Sequence, residues 1–245
     1  MIKQLTLKIL SIFDFFHQRK IIKFLHNKNY CYFKVLFDVG AHKGESIELY
    51  MKNFKVDAIY SFEASPSTFK VLLSKISSFK KNFKDSKFII ENNAIGASTK
   101  KVLLKQVTES SSSTIRDLNV QSKYFKKKLF FLKDNKSNNF FKETEVEQIK
   151  LSDYVNRNNI TSIDFLKIDT EGYEFDVLLG SKDILPKINL ILFEHHYDDM
   201  IKKNYTFSNI HELLKTNDFE QIYKIKMPFR KTFEYIYINK KAKID

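Results

Sequence analysis

The sequence predicts an α/β fold, in which apolar strands alternate with helices around an open and mostly parallel sheet. Residues 35–39 form an apolar run that leads through a turn with two glycines into a helical pattern over 45–53. Two later apolar runs, 58–62 and 163–168, also lead into a carboxylate and then into a helical pattern. Two strand-like segments near the end of the chain, 221–226 and 233–238, indicate an antiparallel pair. The 245 residues suffice for one such domain with additions.

The glycine turn after the first strand is the first candidate ligand site. Asp38 stands at the carboxyl end of that strand, where open α/β sheets bind their ligands. Gly40 and Gly44 leave no side chain where the backbone must pass close to a ligand, and the chain has only 5 glycines. Their spacing lacks one glycine of the Gly-x-Gly-x-x-Gly pattern that serves a pyrophosphate, so a nucleoside ligand without phosphates suits the turn at least as well. A purely topological role for the turn stays open.

The second and third strands offer further cofactor contacts. Glu63 ends the second strand 19 positions after Gly44, close to the spacing at which a carboxylate accepts hydrogen bonds from ribose hydroxyls. Pro66 fits the first turn of a helix that runs to about residue 83. The next strand, 88–96, breaks into polar residues that place Asn93 and Ala94 where an adenine could meet an amide and a small apolar wall.

The middle of the chain is less regular. A strand over 102–107 precedes a serine-rich loop, 109–114. This loop is either a flexible linker or a loop at the ligand face that holds a second ligand, the acceptor of a transferred group. Residues 115–143 are basic, aromatic and poorly periodic, and we interpret them as an insertion over the active face. A short strand, 145–149, leads into a helix for which Ser152 is the expected N-cap.

The second informative stretch brings three carboxylates within six residues. Asp169, Glu171 and Glu174 follow an apolar strand, and such crowding is costly unless cations or donors meet it. The helix over 174–179 is expected to end with Gly180 at the C′ position. A buried strand over 188–193 leads to His195 and His196, which point to opposite faces, so one of them at most serves a single site. We favour His195 and leave a structural role for both open.

The first 34 residues carry seven Lys or Arg against one acid, Asp14. Apolar residues at helical spacing predict one or two basic amphipathic helices over 1–29. These helices either bind the surface of an anionic membrane or cover the edge of the fold. The formal charge of +13 also suggests a polyanionic partner. No apolar run is long enough to span a bilayer, and the lone Cys31 fits a reducing compartment. We therefore expect a cytoplasmic protein, peripheral to the inner membrane face if residues 1–29 bind lipid.

Five motifs follow one another along the chain: Phe-Asp-Val-Gly-Ala-His-Lys-Gly (37–44), Phe-Glu-Ala-Ser-Pro (62–66), Asn-Ala-Ile-Gly (93–96), Leu-Ser-Asp (151–153) and Phe-Leu-Lys-Ile-Asp-Thr-Glu-Gly-Tyr-Glu (165–174). Together they are similar to the motifs of the FkbM family of S-adenosylmethionine-dependent methyltransferases. The resemblance spans about residues 35–197. It implies the class I methyltransferase fold, a Rossmann-like seven-stranded and mostly parallel sheet with an antiparallel C-terminal strand. It also implies O-methylation, often of sugars or other hydroxylated metabolites.

The resemblance assigns cofactor roles to the matching residues. It places Asp38, Gly40, Ala41 and Gly44 at the methionine end of S-adenosylmethionine, Glu63 at the ribose, Asn93 and Ala94 at the adenine, and Asp169 at the reacting methyl. Ala64 is a further cofactor-binding residue. His42 stands where the family more often has Asn, and Ala64 where it commonly has Pro. Residues 1–34 and 115–143 lie outside the family pattern, so we divide the chain into N-terminal helices (1–34) and a methyltransferase domain (35–245) with an insertion at 115–143.

The predicted reaction is methyl transfer to a hydroxyl of a sugar, glycan precursor or related metabolite. A base must remove the hydroxyl proton, and the candidates are Asp169, Glu171, Glu174 and His195. A divalent cation at the carboxylates is a second way to acidify the hydroxyl. One alternative is an RNA methyltransferase, which the chain disfavours because it lacks an Asn/Asp-Pro-Pro-Tyr motif and a Pro-Cys context at Cys31. The other is a non-catalytic module of this fold that binds membranes or polyanions.

Overall fold

The computed structural model describes residues 2–107, 113–126 and 141–241. Its helices are α1 (Ile2–Asn27), α2 (Glu45–Asn53), α3 (Pro66–Asn82), α4 (Leu151–Arg157), α5 (Glu174–Gly180) and α6 (Phe207–Thr216), with a 3-10 helix at Lys182–Lys187. Its strands are β1 (Tyr32–Val39), β2 (Lys55–Phe62), β3 (Lys87–Glu91), β4 (Ala94–Ile95), β5 (Lys100–Val107), β6 (Ser113–Thr114), β7 (Phe141–Ile149), β8 (Ile163–Ile168), β9 (Ile188–His196), β10 (Phe219–Lys226) and β11 (Thr232–Asn239).

Seven strands form the main sheet, in the order β3-β2-β1-β8-β9-β11-β10. Strands β3, β2, β1, β8 and β9 are mutually parallel, and β11 is antiparallel to both β9 and β10. The predicted seven-stranded, mostly parallel sheet with an antiparallel C-terminal strand is confirmed. The chain passes from β1 outward to β3 and later returns to build β8 and β9 on the other side, so the β1–β8 boundary is the switch point at which such sheets bind ligands.

A second sheet lies beside the first, in the order β4-β7-β5-β6. The expectation of one strand over 88–96 is wrong, because the chain forms β3 in the main sheet and β4 in the second. The polar residues between them make the turn, and Asn92 donates its amide N–H to the carbonyl of Glu63 at 2.7 Å. Residues 92–93 therefore carry the chain from one sheet to the other at the carboxyl edge of β2.

Two predicted helix ends in the second half of the chain, the N-cap at Ser152 and the C′ position at Gly180, are wrong. Helix α4 starts at Leu151 with Lys150 as its N-cap, and Ser152 is buried inside the helix rather than capping it. Gly180 is the last residue of α5 rather than the residue after it. A Cβ at Gly180 would lie 2.0 Å from the carbonyl oxygen of Gly96, so glycine is needed there for close packing of α5 against the chain after β4.

Helix α1 is a single helix whose C-terminal half belongs to the core. Ile21, Ile22 and Leu25 are buried against the face of the main sheet that α2 and α3 also cover, whereas α4, α5 and α6 cover the opposite face. Within the described ranges, no helix is both long and apolar enough to cross a membrane.

The serine-rich loop, 109–114, and the predicted insertion, 115–143, are each described in part. Residues 108–112 and 127–140 lie outside the described residues. The last residues of the serine-rich loop, 113–114, form β6, and residues 141–143 begin β7. The described part of the insertion packs against the chain that follows β9: Leu118 pairs with Ile201, and Asn119 N–H donates to the carbonyl of Met200 at 2.8 Å. This places the start of the insertion beside the carboxyl edge of the main sheet.

Candidate active site

A cavity of about 670 Å³ opens at the carboxyl ends of β1, β2 and β8. Its volume lies within the range of small-molecule and cofactor sites. The walls come from the turn after β1, the ends of β2, β8 and β9, the start of the second sheet, and the contact between α1 and the β10–β11 hairpin. The cavity therefore occupies the switch point of the main sheet.

The glycine turn fixes the floor of the cavity. Gly40 adopts a φ of +83°, and a Cβ there would lie 1.8 Å from the carbonyl oxygen of Asp169. The backbone N–H groups of Gly40 and Ala41 both donate to the carbonyl of Phe62, at 2.9 and 3.0 Å. The ends of β1, β2 and β8 are thus held together without a side chain between them. Gly44 does not line the cavity, and a Cβ there would meet side chains of α3.

A buried lysine, Lys167, links β1 to β8 beneath the turn. Its ammonium group lies 3.0 Å from Asp38 Oδ1 and 3.5 Å from Asp169 Oδ2, and it donates to the carbonyl of Gly40 at 3.1 Å. Burial lowers the pKa of Lys167, but the charges of Asp38 and Asp169 outweigh burial and raise the pKa overall. Asp38 is fully buried and also accepts a hydrogen bond from the hydroxyl of Ser46, so it holds Lys167 in place rather than lining the cavity.

Glu63 lines the cavity at the end of β2. Its two carboxylate oxygens accept backbone N–H groups from His42 and Ser65, both at 2.8 Å. Burial raises the pKa of Glu63, and the two N–H donors oppose that shift. Each oxygen keeps a lone pair, so the fixed carboxylate can accept two hydroxyl donors from the cavity. Asn93 and Ala94 line the cavity as well.

A second set of carboxylates lies at the other end of the cavity: Asp169, Glu171, Glu194 and Glu234. Glu194 on β9 and Glu234 on β11 face each other across the two strands. Burial, followed by the charge of Asp169, raises the pKa of Glu194 to about 8. His196 Nε2 lies 3.2 Å from Glu171 Oε2 and 3.1 Å from Glu194 Oε1. Burial lowers the pKa of His196, but its carboxylate neighbours raise it well above 6.5, so His196 supplies a cation to this end.

The sequence model of the methyltransferase FkbM domain matches residues 38–221, about three quarters of the chain. The chain belongs to the FkbM methyltransferase family. The matched region runs from Asp38 on β1 through both sheets into β10, and it contains the glycine turn, Glu63 and the Asp169 segment. No curated protein matches the sequence.

Many solved structures have a similar fold, and two methyltransferases are among them. The methyltransferase FkbM from Methylobacillus flagellatus gives a TM-score of 0.53 at 13% identity, over 83% of this chain and 43% of that chain. The magnesium protoporphyrin IX methyltransferase from Synechocystis, with S-adenosylmethionine bound, gives a TM-score of 0.51 at 8% identity, over 95% of this chain and 82% of that chain. This chain therefore spans less than half the length of the first, and identities this low show the shared methyltransferase fold alone.

The structure brings most of the residues assigned from the FkbM resemblance into one cavity. Those that line it are Gly40, Ala41, Glu63, Ala64, Asn93, Ala94 and Asp169, and the candidate base Glu171 lines it too. His42, where the family more often has Asn, lies in the turn with a φ of +48°, a conformation in which Asn and His are both enriched among non-glycine residues. The replacement is therefore compatible with the turn.

Two predicted catalytic residues are not among the described residues that line the cavity. Glu174 is fully buried and accepts the Gly172 N–H at 2.7 Å and the Tyr205 hydroxyl at 2.6 Å, so it holds the turn that presents Glu171. His195 packs among aromatic rings, and burial, followed by the charges of nearby cations, lowers its pKa to about 3. The preference for His195 as the functional histidine has no support in this geometry. His196 is the histidine that lies beside the cavity carboxylates.

Sequence reasoning missed the wall contributed by α1 and the β10–β11 hairpin. Asp14, Phe15 and Gln18 of α1 and Met227 and Arg230 of the hairpin line the cavity. Arg230 pairs with Asp14 at 2.9 Å. These contacts join residues more than 200 positions apart, and no local pattern in the sequence signals them.

The carboxylates do not form a recognisable cation site. In the ranges 2–107, 113–126 and 141–241, no group of three or more His, Cys, Asp or Glu side chains has the arrangement of a metal centre. Lys167, His196 and Arg230 supply the positive charge near these carboxylates instead.

Proposed function

We propose that this FkbM-family chain transfers a methyl group from S-adenosylmethionine to a hydroxyl of a sugar, glycan precursor or related metabolite. The observation that carries the proposal is the charge of the cavity. Among the residues that the structure describes, the acidic lining residues are Asp14, Glu45, Glu63, Asp169, Glu171, Glu194 and Glu234, and the lining Lys and Arg residues are Lys167 and Arg230. In a protein of charge +13, the described lining of the cavity is thus acidic.

An acidic cavity fits a cationic donor and an uncharged acceptor. Carboxylates accept hydrogen bonds from hydroxyl groups and repel phosphates. The part of the acceptor that enters the cavity is therefore an uncharged, hydroxylated group. Apart from Lys167 and Arg230, the described Lys and Arg residues lie outside the cavity, which makes RNA methylation the weaker alternative.

The residues of the first half of the cavity fit the donor. Glu63 presents a carboxylate with both oxygens oriented by backbone N–H groups, as two ribose hydroxyls require. The glycine turn has room for a ligand but no further glycine for a pyrophosphate, which this donor lacks. Asn93 and Ala94 lie on the wall assigned to the adenine. When bound, the donor supplies a methyl group on a sulfonium, and the chain must align the acceptor oxygen with it.

The residues of the other half can remove the acceptor proton. Asp169 and Glu171 remain candidates for the base, and Glu194 joins them because its pKa of about 8 lets it hold or release a proton near neutral pH. Lys167 fixes Asp169 at the end of β8, and His196 fixes Glu171 and Glu194. Each of the three carboxylates is thus oriented by a buried cation before an acceptor arrives.

Calorimetric titration with S-adenosylmethionine tests the donor half. Glu63→Ala should weaken binding by about 10-fold to 100-fold, since a hydrogen bond to a charged group contributes about 1.5–3 kcal/mol. Glu48→Ala is the matched control, because Glu48 is an exposed carboxylate on α2 that pairs with Lys52. Equal affinities for wild type and Glu63→Ala, with both folded by circular dichroism, would remove Glu63 from the donor site.

A further inference from the structure

Large apolar side chains are exposed where α1 meets the β10–β11 hairpin. The exposed fractions are 53% for Ile12, 38% for Phe13, 55% for Phe15, 54% for Phe16 and 73% for Phe229. We call these five residues the aromatic rim. Phe13 and Phe229 contact each other edge to face at 4.9 Å, and Phe15 and Phe16 do so at 5.7 Å. The rim thus combines residues from two distant parts of the chain, which meet at the contact between Phe13 and Phe229.

The hairpin turn holds Phe229 outward at a conformational cost. Arg230 N–H donates to the carbonyl of Met227 at 3.4 Å, with Pro228 and Phe229 between them. Phe229 has a φ of +61° at the third position of this turn, where a positive φ favours glycine. A bulky residue that is both strained and exposed indicates a role outside the fold.

Exposed basic side chains on the same two elements form what we call the basic border of the aromatic rim. Arg19, Lys20 and Lys23 are exposed on α1, and Lys226 and Lys231 are exposed on the hairpin. Over residues 12–23 and 226–231 the only acid is Asp14, and it is paired with Arg230. The patch therefore combines exposed phenylalanines with uncompensated positive charge, which complements an anionic lipid surface.

We propose that the aromatic rim and its basic border dock on an anionic phospholipid bilayer. Helix α1 then lies in the plane of the interface, with its C-terminal half anchored in the core through Ile21, Ile22 and Leu25. Phenylalanines enter the boundary between headgroups and acyl chains, and the lysines meet anionic headgroups.

Docking on this patch brings the cavity to the membrane. Phe15 belongs to the rim and also lines the cavity. Its neighbours Asp14, Gln18 and Arg230, which are not part of the rim, line the cavity as well. A bilayer against the rim therefore lies next to the cavity wall. The identity of the acceptor, unlike the docking itself, rests on the proposed methyl transfer. With that transfer, the acceptor is a hydroxylated headgroup or a glycan carried on a lipid.

Vesicle co-sedimentation of the full chain tests the docking without donor or acceptor, so its outcome is independent of the methyl transfer. Wild type should bind phosphatidylserine-rich vesicles, bind pure phosphatidylcholine vesicles weakly, and be released by salt. Phe229→Gly and Phe16→Ser should each weaken partitioning by about tenfold or more, as expected from loss of a buried Phe. Lys20→Ala should weaken it by about fivefold.

Matched controls separate docking from folding. Leu179→Ala removes an exposed apolar side chain from α5 on the opposite face of the sheet, and Lys182→Ala removes an exposed cation beside it; neither should change partitioning. Phe229→Gly suits the turn better than Phe, so its thermal midpoint should equal or exceed that of wild type.

Three results would overturn the proposal. One is failure of wild type to bind phosphatidylserine-rich vesicles, and another is equal binding by wild type and the folded Phe229→Gly variant. The third is a wild-type dimer, seen by light scattering, that Phe16→Ser and Phe229→Gly both dissociate, because the rim would then be covered by a second copy of this chain.

Discussion

Replacing Gly40 by Ala tests the tight junction between β1 and β8. A side chain at a φ of +83° costs about 1–2 kcal/mol. The new Cβ would also lie 1.8 Å from the Asp169 carbonyl oxygen, whereas ordinary contacts of this kind lie at about 3.3 Å or more. The backbone at Asp169 must therefore move by about 1.5 Å, and such overpacking costs about 1–3 kcal/mol more.

Gly44→Ala is the matched control for this prediction. Gly44 has a nearly identical φ of +86°, but its Cβ would meet the side chains of Leu72 and Phe79 at 3.0–3.2 Å, and these can shift more easily than backbone. Urea unfolding should show a loss of about 2–5 kcal/mol for Gly40→Ala, larger than the loss for Gly44→Ala by about 1–3 kcal/mol. Equal losses in the two variants would refute the close approach of Gly40 to Asp169.

The same displacement predicts a functional loss. A misplacement of about 1 Å at a reacting centre can cost about 100-fold in rate, so Gly40→Ala should reduce methyl transfer at least that much where the protein is still folded. Transfer at the wild-type rate would show that the position of Asp169 does not matter to the reaction.

Two further predictions concern buried charges. Lys167→Met should destabilise the fold by about 3–5 kcal/mol in urea unfolding, because it leaves Asp38 buried and unpaired, whereas Lys182→Met, at an exposed lysine, should change little. A small loss for Lys167→Met would contradict the pairing. For Glu194, the unfolded state releases its proton near pH 4.5 and the folded state near pH 8, so its contribution to stability is complete below pH 4.5 and declines as pH rises to about 8. Glu194→Gln should flatten the decline in unfolding free energy over this window, and an unchanged pH profile would count against the raised pKa.

The fold was predictable because its signals are local. The apolar run before Asp38, the glycines after it and the helical pattern over 45–53 lie within twenty residues of one another, and each specifies its own element. The two strand-like segments near the end of the chain, 221–226 and 233–238, also have local signals. The errors at Ser152 and Gly180 arise where packing overrides a local preference: Ser152 is buried within α4, and Gly180 must fit against Gly96.

The candidate site was predictable where its residues follow the parallel strands. Gly40, Glu63 and Asp169 do so, and the topology of parallel sheets brings them together. The rest of the site depends on pairing between distant segments. Glu234 reaches the cavity because β11 pairs with β9, and its carboxylate contacts His17 and Gln18 of α1. A sequence pattern cannot show a register between strands about forty residues apart, or a contact between residues 18 and 234.

The central claim is that an acidic cavity methylates an uncharged, hydroxylated acceptor. The most direct test follows labelled methyl groups from S-adenosylmethionine into neutral oligosaccharides, nucleotide sugars and RNA, each incubated with the full chain and with Asp169→Asn. The account predicts label in a carbohydrate as an O-methyl ether, lost with Asp169→Asn. Label in RNA, with none in any hydroxylated carbohydrate, would contradict it.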